Sequence, residues 1–175
     1  VKLEFVGFGT MNGKDGKPFK TRDGGVLRLE KLLEDVNEQV LDKMKDRDMD
    51  KDMIDDAAAK ISLAAIKYGD LSNQASKDYI FDVDRFTSFE GNTGPYILYT
   101  IVRTKSLLAK VKAQNITVDE KSAIDPADSK SETDVMLALT KWSETVNAAF
   151  EEHAPHKICQ FVYELSDTFN KFYHE

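Results

Sequence analysis

Two sets of residues in this 175-residue sequence combine types and spacings that could do chemistry. The first is cationic. Lys14, Lys17, Lys20 and Arg22 lie within nine positions of one another in the run Met11 to Gly25, MNGKDGKPFKTRDGG. Glycines at 13, 16, 24 and 25 let the backbone approach a ligand closely. Ammonium groups on such a loop can stabilise charge on phosphates. The Gly-x-x-x-x-Gly-Lys-Ser/Thr spacing of a P-loop is absent. The plainer reading is a β-hairpin with solvated lysines. With few apolar anchors beyond Met11 and Phe19, the run is expected to be mobile without a ligand.

The second set lies on a helix. Glu90 to Pro95 is a turn cluster, and Pro95 suits a first helical turn. From there to about Lys112, Ile97, Ile101, Leu108 and Val111 share one face and read as core. Tyr96, Tyr99, Arg103 and Lys110 share another face. Flat rings and cations side by side suit single-stranded RNA, through base stacking and phosphate contact. The alternative is that the tyrosines pack, against the last helix of the chain, with their hydroxyls at the rim while the cations are solvated.

Other chemistry finds less support. His153 and His156 are three apart but separated by Pro155, and no cysteine or carboxylate set completes a zinc site. Cys159 stands in an apolar run and reads as a buried structural thiol. No apolar run approaches membrane-span length, and the first residues lack a signal-peptide pattern. The net charge of −7 argues against RNA only until it is located. Glu34 to Asp56 carries −6 and Asp119 to Asp134 carries −4, so the remaining residues sum to +3. Phosphate contact depends on the local field.

The elements that must position these sets are mostly helices. Val1 to Thr10 reads as a strand that lacks a sheet partner here, which points to a piece of something larger. Val26 to Lys45 reads as a helix with Leu29, Leu32, Leu33, Val36, Val40 and Met44 on one side. After a charged break, Asp52 to Tyr68 reads as a second helix, with Ile54, Ala58, Ile61 and Ala65 in register. Gly69 to Ser76 reads as a turn, and Tyr79 to Asp84 as an extended segment with ring anchors. Beyond the long helix, Ala113 to Ser131 reads as a mobile loop. Three helices close the chain: Glu132 to Lys141; Glu144 to His153, capped by Ser143, with Val146, Ala149 and Phe150 inward; and a last helix opened by Pro155. On that last helix Ile158, Phe161, Val162, Leu165, Phe169 and Phe172 form an apolar face, with Tyr163, Asp167, Asn170 and His174 opposite.

Three runs, Asp70 to Asn73 (DLSN), Asp78 to Arg103 (DYIFDVDRFTSFEGNTGPYILYTIVR) and Pro155 to Tyr173 (PHKICQFVYELSDTFNKFY), resemble arginyl-tRNA synthetases in residues, order and spacing. Lys17-Pro18-Phe19-Lys20-Thr21 resembles the Lys-Met-Ser-Lys-Ser loop of class I synthetases, with Pro for Met and Phe for the first Ser. The resemblance implies a mainly α fold: a short β and loop remnant of a class I catalytic domain over 1–84, then a helical anticodon-binding bundle over 85–175. It implies that Lys17, Lys20 and Thr21, with Arg22, serve the ATP phosphates during adenylate formation. Tyr96, Tyr99, Arg103 and Lys110 are then expected to meet the anticodon arm of tRNA. The parent reaction is ATP-dependent attachment of arginine to its tRNA in the cytoplasm, with Mg2+ accompanying ATP. No protein-bound metal, DNA or membrane is implied. The nucleotide-binding His-Ile-Gly-His-type motif of the class is not among these residues. A stand-alone, non-catalytic helical RNA-binding or interaction module is the competing reading.

Overall fold

The computed structural model describes residues 3–18, 28–116 and 123–175. Residues 3–10 run without regular structure. The strand expected over Val1 to Thr10 instead falls at β1, Met11–Asn12. The reason is partnership. β1 pairs in parallel with β2, Tyr79–Ile80, in the register Met11 to Tyr79 and Asn12 to Ile80. Leu3, Phe5 and Phe8 have strand-forming side chains but are 90%, 95% and 88% exposed. Strand preference takes effect only where a neighbouring strand supplies hydrogen bonds.

Two helices cross between the strands. Helix α1 is Leu29–Met44 and α2 is Lys51–Leu71. Leu32, Val36, Val40 and Met44 are buried along α1, as their four-residue spacing predicts. Leu29, expected on the same face, is exposed at the first turn. Asp50 caps α2 by accepting from the Asp52 backbone N–H at 2.9 Å. Small residues let α2 approach its neighbours: Ala58, Ser62, Ala65 and Gly69 are its buried positions. Gly69, expected to begin a turn, is therefore helical. The Phe86 ring occupies the space where a Cβ would stand, 2.4 Å from that position.

Only Tyr79 and Ile80 of the expected extended segment form a strand. Asp82 then caps a one-turn helix α3, Val83–Phe86, accepting from Asp84 and Arg85 N–H at 3.0 and 3.4 Å. Phe81 and Phe86 meet edge to face at 4.6 Å and close a core with Leu32, Val36 and Ala65. A second core group is Val40, Met44 and Ala58.

The long helix α4 is Gly94–Ala113. The Thr93 side chain accepts from Tyr96 N–H at 3.2 Å, and its hydroxyl donates to Ser88 carbonyl at 2.6 Å. Gly94 lets α4 abut α2: a Cβ there would lie 2.2 Å from the Ala64 carbonyl oxygen. Burial is confined to the start of α4, at Gly94, Pro95, Ile97 and Thr100. Ile101 and Leu108, expected in the core, are 43% and 60% exposed. No described element covers the second half of the helix.

Helices α5, Lys130–Thr140, α6, Trp142–Glu151, and α7, Pro155–Tyr173, complete the chain. α5 starts before the expected Glu132 because Ser129 caps it, accepting from Glu132 N–H at 3.1 Å. Ser143 lies inside α6, whose preceding residue Lys141 provides no side-chain cap. Phe150, expected inward, is 80% exposed. α7 is central to the bundle. One side meets α5 and α6, with Phe161 5.4 Å from Trp142 between ring centroids. The other side, opposite the apolar face, meets α4. The loop expected over Ala113 to Ser131 is described except at 117–122. No helix of the described residues is long and apolar enough to cross a membrane.

Candidate functional site

The cationic run divides at Pro18. Its described part is a tight hairpin. Gly13 N–H donates to Lys17 carbonyl at 2.8 Å, Gly16 N–H to Gly13 carbonyl at 2.9 Å, and Asn12 bridges Pro18 in antiparallel fashion. The base is anchored by backbone pairing: Tyr79 N–H donates to Thr10 carbonyl at 3.0 Å and Phe81 N–H to Asn12 carbonyl at 2.8 Å. The expected phosphate contacts at Lys20, Thr21 and Arg22 fall outside the described residues.

The two described lysines of the run differ. Lys17 is exposed and makes no ion pair among the described residues. Lys14 is held by two carboxylates, with Nζ 3.0 Å from Asp82 Oδ1 and 2.8 Å from Asp84 Oδ2. The hydrogen bond to Asp84, then that to Asp82, raises the Lys14 ammonium above its ordinary range. Lys14, and next Gln39, hold Asp84 below the usual carboxylate range. Gln39 Nε2 of α1 donates to Asp84 Oδ1 at 2.6 Å. Nearby, Lys43 Nζ donates to the Thr87 hydroxyl at 2.6 Å. These carboxylates follow Lys14 by about seventy positions (70 for Asp84), so no local spacing could have revealed the clasp.

The α4 stripe is brought against α7. Tyr96 is half-buried, its ring 5.8 Å from that of Tyr163. Asn170 Nδ2 donates to the Tyr96 hydroxyl at 3.0 Å and to Thr100 Oγ1 at 2.9 Å. Arg103 Nη1 donates to Asn170 Oδ1 at 2.7 Å, and Nη2 to the Tyr99 hydroxyl at 2.5 Å. The guanidinium sits between two rings, 4.7 Å from the Tyr99 centroid and 4.5 Å from that of Tyr173. Tyr99 is 48% exposed and Tyr173 40%. Lys110 is exposed two turns further along. The four residues therefore do not form one uniform face: Tyr96 is packed, Arg103 bridges, and Tyr99 and Lys110 stand at the rim. Asn170 and Tyr173 belong to the same cluster. Asn170 on the non-apolar side of α7 was the available signal, since two polar stripes can satisfy each other.

The turn before α4 is a packing device. The Tyr68 hydroxyl donates to Cys159 carbonyl at 2.8 Å and contacts the Asn92 amide oxygen at 2.6 Å, tying α2 to both the turn and α7. Burial, as the leading cause, keeps the Tyr68 proton in place above the usual phenol range. Cys159 is buried, and burial raises its thiol pKa. Among the described residues, no group of three or more His, Cys, Asp or Glu side chains could hold a metal ion.

Residues 1–83 match the family model described as tRNA synthetases class I (R), catalytic domain. Residues 97–175 match that of the DALR anticodon binding domain. An arginine–tRNA ligase of Agathobacter rectalis is 58% identical, covering 100% of this chain and 31% of that protein. One of Alkaliphilus oremlandii is 52% identical over 100% of this chain and 30% of its own length. The chain thus spans under a third of the length of these curated relatives. Among solved structures, Thermus thermophilus arginyl-tRNA synthetase matches with a TM-score of 0.77 and 25% identity, over 96% of this chain and 27% of that one. The arginyl-tRNA synthetase of Plasmodium falciparum shares the fold with a TM-score of 0.69 at 24% identity, over 97% of this chain and 28% of that one. With catalytic-domain and anticodon-domain matches in that order, and relatives of one specificity aligned along the whole chain, the chain belongs to the arginyl-tRNA synthetase family.

Proposed function

We propose that this chain is the part of an ATP-dependent arginine–tRNA ligase that carries the ATP-phosphate loop and contacts the anticodon arm of arginine tRNA. The observation that carries the reading is the exposed ammonium of Lys17, without an ion pair among the described residues, on a hairpin whose base is paired to β2 and whose Lys14 is clasped at α3. A cation held this way can meet a phosphate without first breaking an internal ion pair. Lys17 and Lys20 stabilise charge on the departing pyrophosphate, with Thr21 and Arg22 beside them. Magnesium belongs with the ATP phosphates as part of that substrate. Residues 1–84 form the catalytic-side unit and 85–175 the tRNA-binding unit, in the cytoplasm.

At the other end, the exposed ring of Tyr99 receives an unstacked anticodon base. Arg103 and Lys110 add positive charge, and Tyr96 fixes the helix that presents them. The 175-residue chain alone catalyses neither aminoacylation nor arginine-dependent pyrophosphate exchange, because one loop cannot position both ATP and arginine. The deciding experiment uses the full-length ligase that carries this segment. Lys20→Ala should reduce the adenylation rate far more than tRNA affinity, and a pure affinity loss would overturn the role assigned to the loop.

A further inference from the structure

We propose that Lys14 is a positioning residue: by clasping Asp82 and Asp84 it fixes the hairpin turn on its paired base and so the direction in which Lys17 is presented. This rests on reading the loop as the ATP-phosphate loop.

The receiving carboxylates are set independently of Lys14. Asp84 is held by Gln39 of α1 at 2.6 Å. Asp82 Oδ1 is held by the α3 backbone N–H groups at 3.0 and 3.4 Å. The ammonium therefore docks onto a prepared receiver between two helices. The hairpin tip, by contrast, closes largely on itself: Lys17 N–H donates to Asp15 Oδ1 at 3.1 Å and Lys17 carbonyl accepts from Gly13 at 2.8 Å. Among the described residues 13–17, Lys14 is the one whose side chain reaches the helices. Without it, the self-closed turn can pivot at its base as a unit.

The clasp is exposed, with 61% of the Lys14 side chain accessible, so its contribution to stability is small. Its importance is in geometry, where a displacement of about 1 Å can cost on the order of a hundredfold in rate. Lys14 differs in this from Lys17: its charge is matched by two carboxylates rather than left for phosphate. The same α3 leads through Ser88, which accepts from the Thr93 hydroxyl at 2.6 Å, to the start of α4. Lys14 thereby ties the loop to the segment entering the second helical unit.

The test measures arginine-dependent pyrophosphate exchange in the full-length ligase, with tRNA varied up to saturation. Lys14→Ala is expected to lower kcat about tenfold while KM for tRNA stays within about twofold and the melting midpoint is unchanged. Lys14→Arg, which can bridge both carboxylates, should recover most of the rate. Asp84→Asn, which approaches the clasp from the other side, should slow exchange similarly, and the double variant should be no slower than Lys14→Ala. Full activity in Lys14→Ala, no recovery with Arg, or additive losses would overturn the proposal. Lys17→Ala separates the two readings. If it slows exchange and Lys14→Ala does not, only the positioning role falls. If neither Lys17→Ala nor Lys20→Ala slows exchange, the reading of the loop falls and the positioning role falls with it.

Discussion

Helices α1 and α2 meet through Val36, Val40, Ala58 and Ala65, all at or below 1% exposure. Helices α4 and α7 meet through Tyr96, Thr100, Arg103, Tyr163 and Asn170, joined by directed hydrogen bonds of 2.7 to 3.0 Å and a stacked guanidinium. The first contact is held by burial, which is non-directional and scales with area. The second depends on every polar group finding its partner, because a buried donor or acceptor left alone costs about 1–3 kcal/mol. The difference bears on function. An apolar seam uses up its side chains, whereas a polar seam between two helices ends in half-exposed rings and a cation, here Tyr99, Tyr173 and Arg103, that can also face a nucleic acid.

Substitutions can break or sharpen this contrast, and the largest effect is expected where backbones touch. Gly94→Ala places a methyl 2.2 Å from the Ala64 carbonyl oxygen, which is backbone and cannot swing aside. A loss of about 3 kcal/mol is expected from the shift in the urea unfolding midpoint. Next comes the apolar seam: Val36→Ala removes fully buried methyl groups and should cost about 2 kcal/mol in the same measurement. Asn170→Ala probes the polar seam. It strips a partner from Arg103, Tyr96 and Thr100 and should cost about 1–2 kcal/mol. Combined with Arg103→Ala, its loss should be clearly less than additive, since the two share one bond. Additive losses would mean that the α4–α7 contact is held by area, as the α1–α2 contact is.

The apolar seam was legible in the sequence because its pattern is single-sided: Leu32, Val36, Val40 and Met44 repeat at helical spacing, and their partners do too. The polar seam was legible only as an alternative, that of tyrosines packed against the last helix. Tyr96, Thr100 and Arg103 on α4, like Tyr163 and Asn170 on α7, read as surface on each helix alone, and the pairing of α4 with α7 shows which groups bond to which. The same limit misassigned Ile101 and Leu108, whose spacing fits a core although nothing among the described residues covers them. The strand misplacement at Val1 to Thr10 has a related cause, since residue types reveal which segments can form a strand and not which one finds a partner. At the loop, the sequence showed four cations in one short run but not that Lys14 is matched by acids seventy positions away.

The smallest effect on stability is expected at Tyr99, and it bears most directly on the division of labour between the two regions. The measurement is a paired one in the full-length ligase: the rate of arginine-dependent pyrophosphate exchange and the KM for tRNA, for Lys17→Ala and Tyr99→Ala, with melting midpoints recorded alongside. Lys17→Ala should lower the exchange rate with little change in KM for tRNA. Tyr99→Ala should leave the midpoint nearly unchanged and raise KM for tRNA about fivefold to a hundredfold, as loss of one base–ring stack requires. If Tyr99→Ala instead unfolds the bundle while tRNA affinity per folded molecule is intact, the polar seam is packing alone and the tRNA face lies elsewhere.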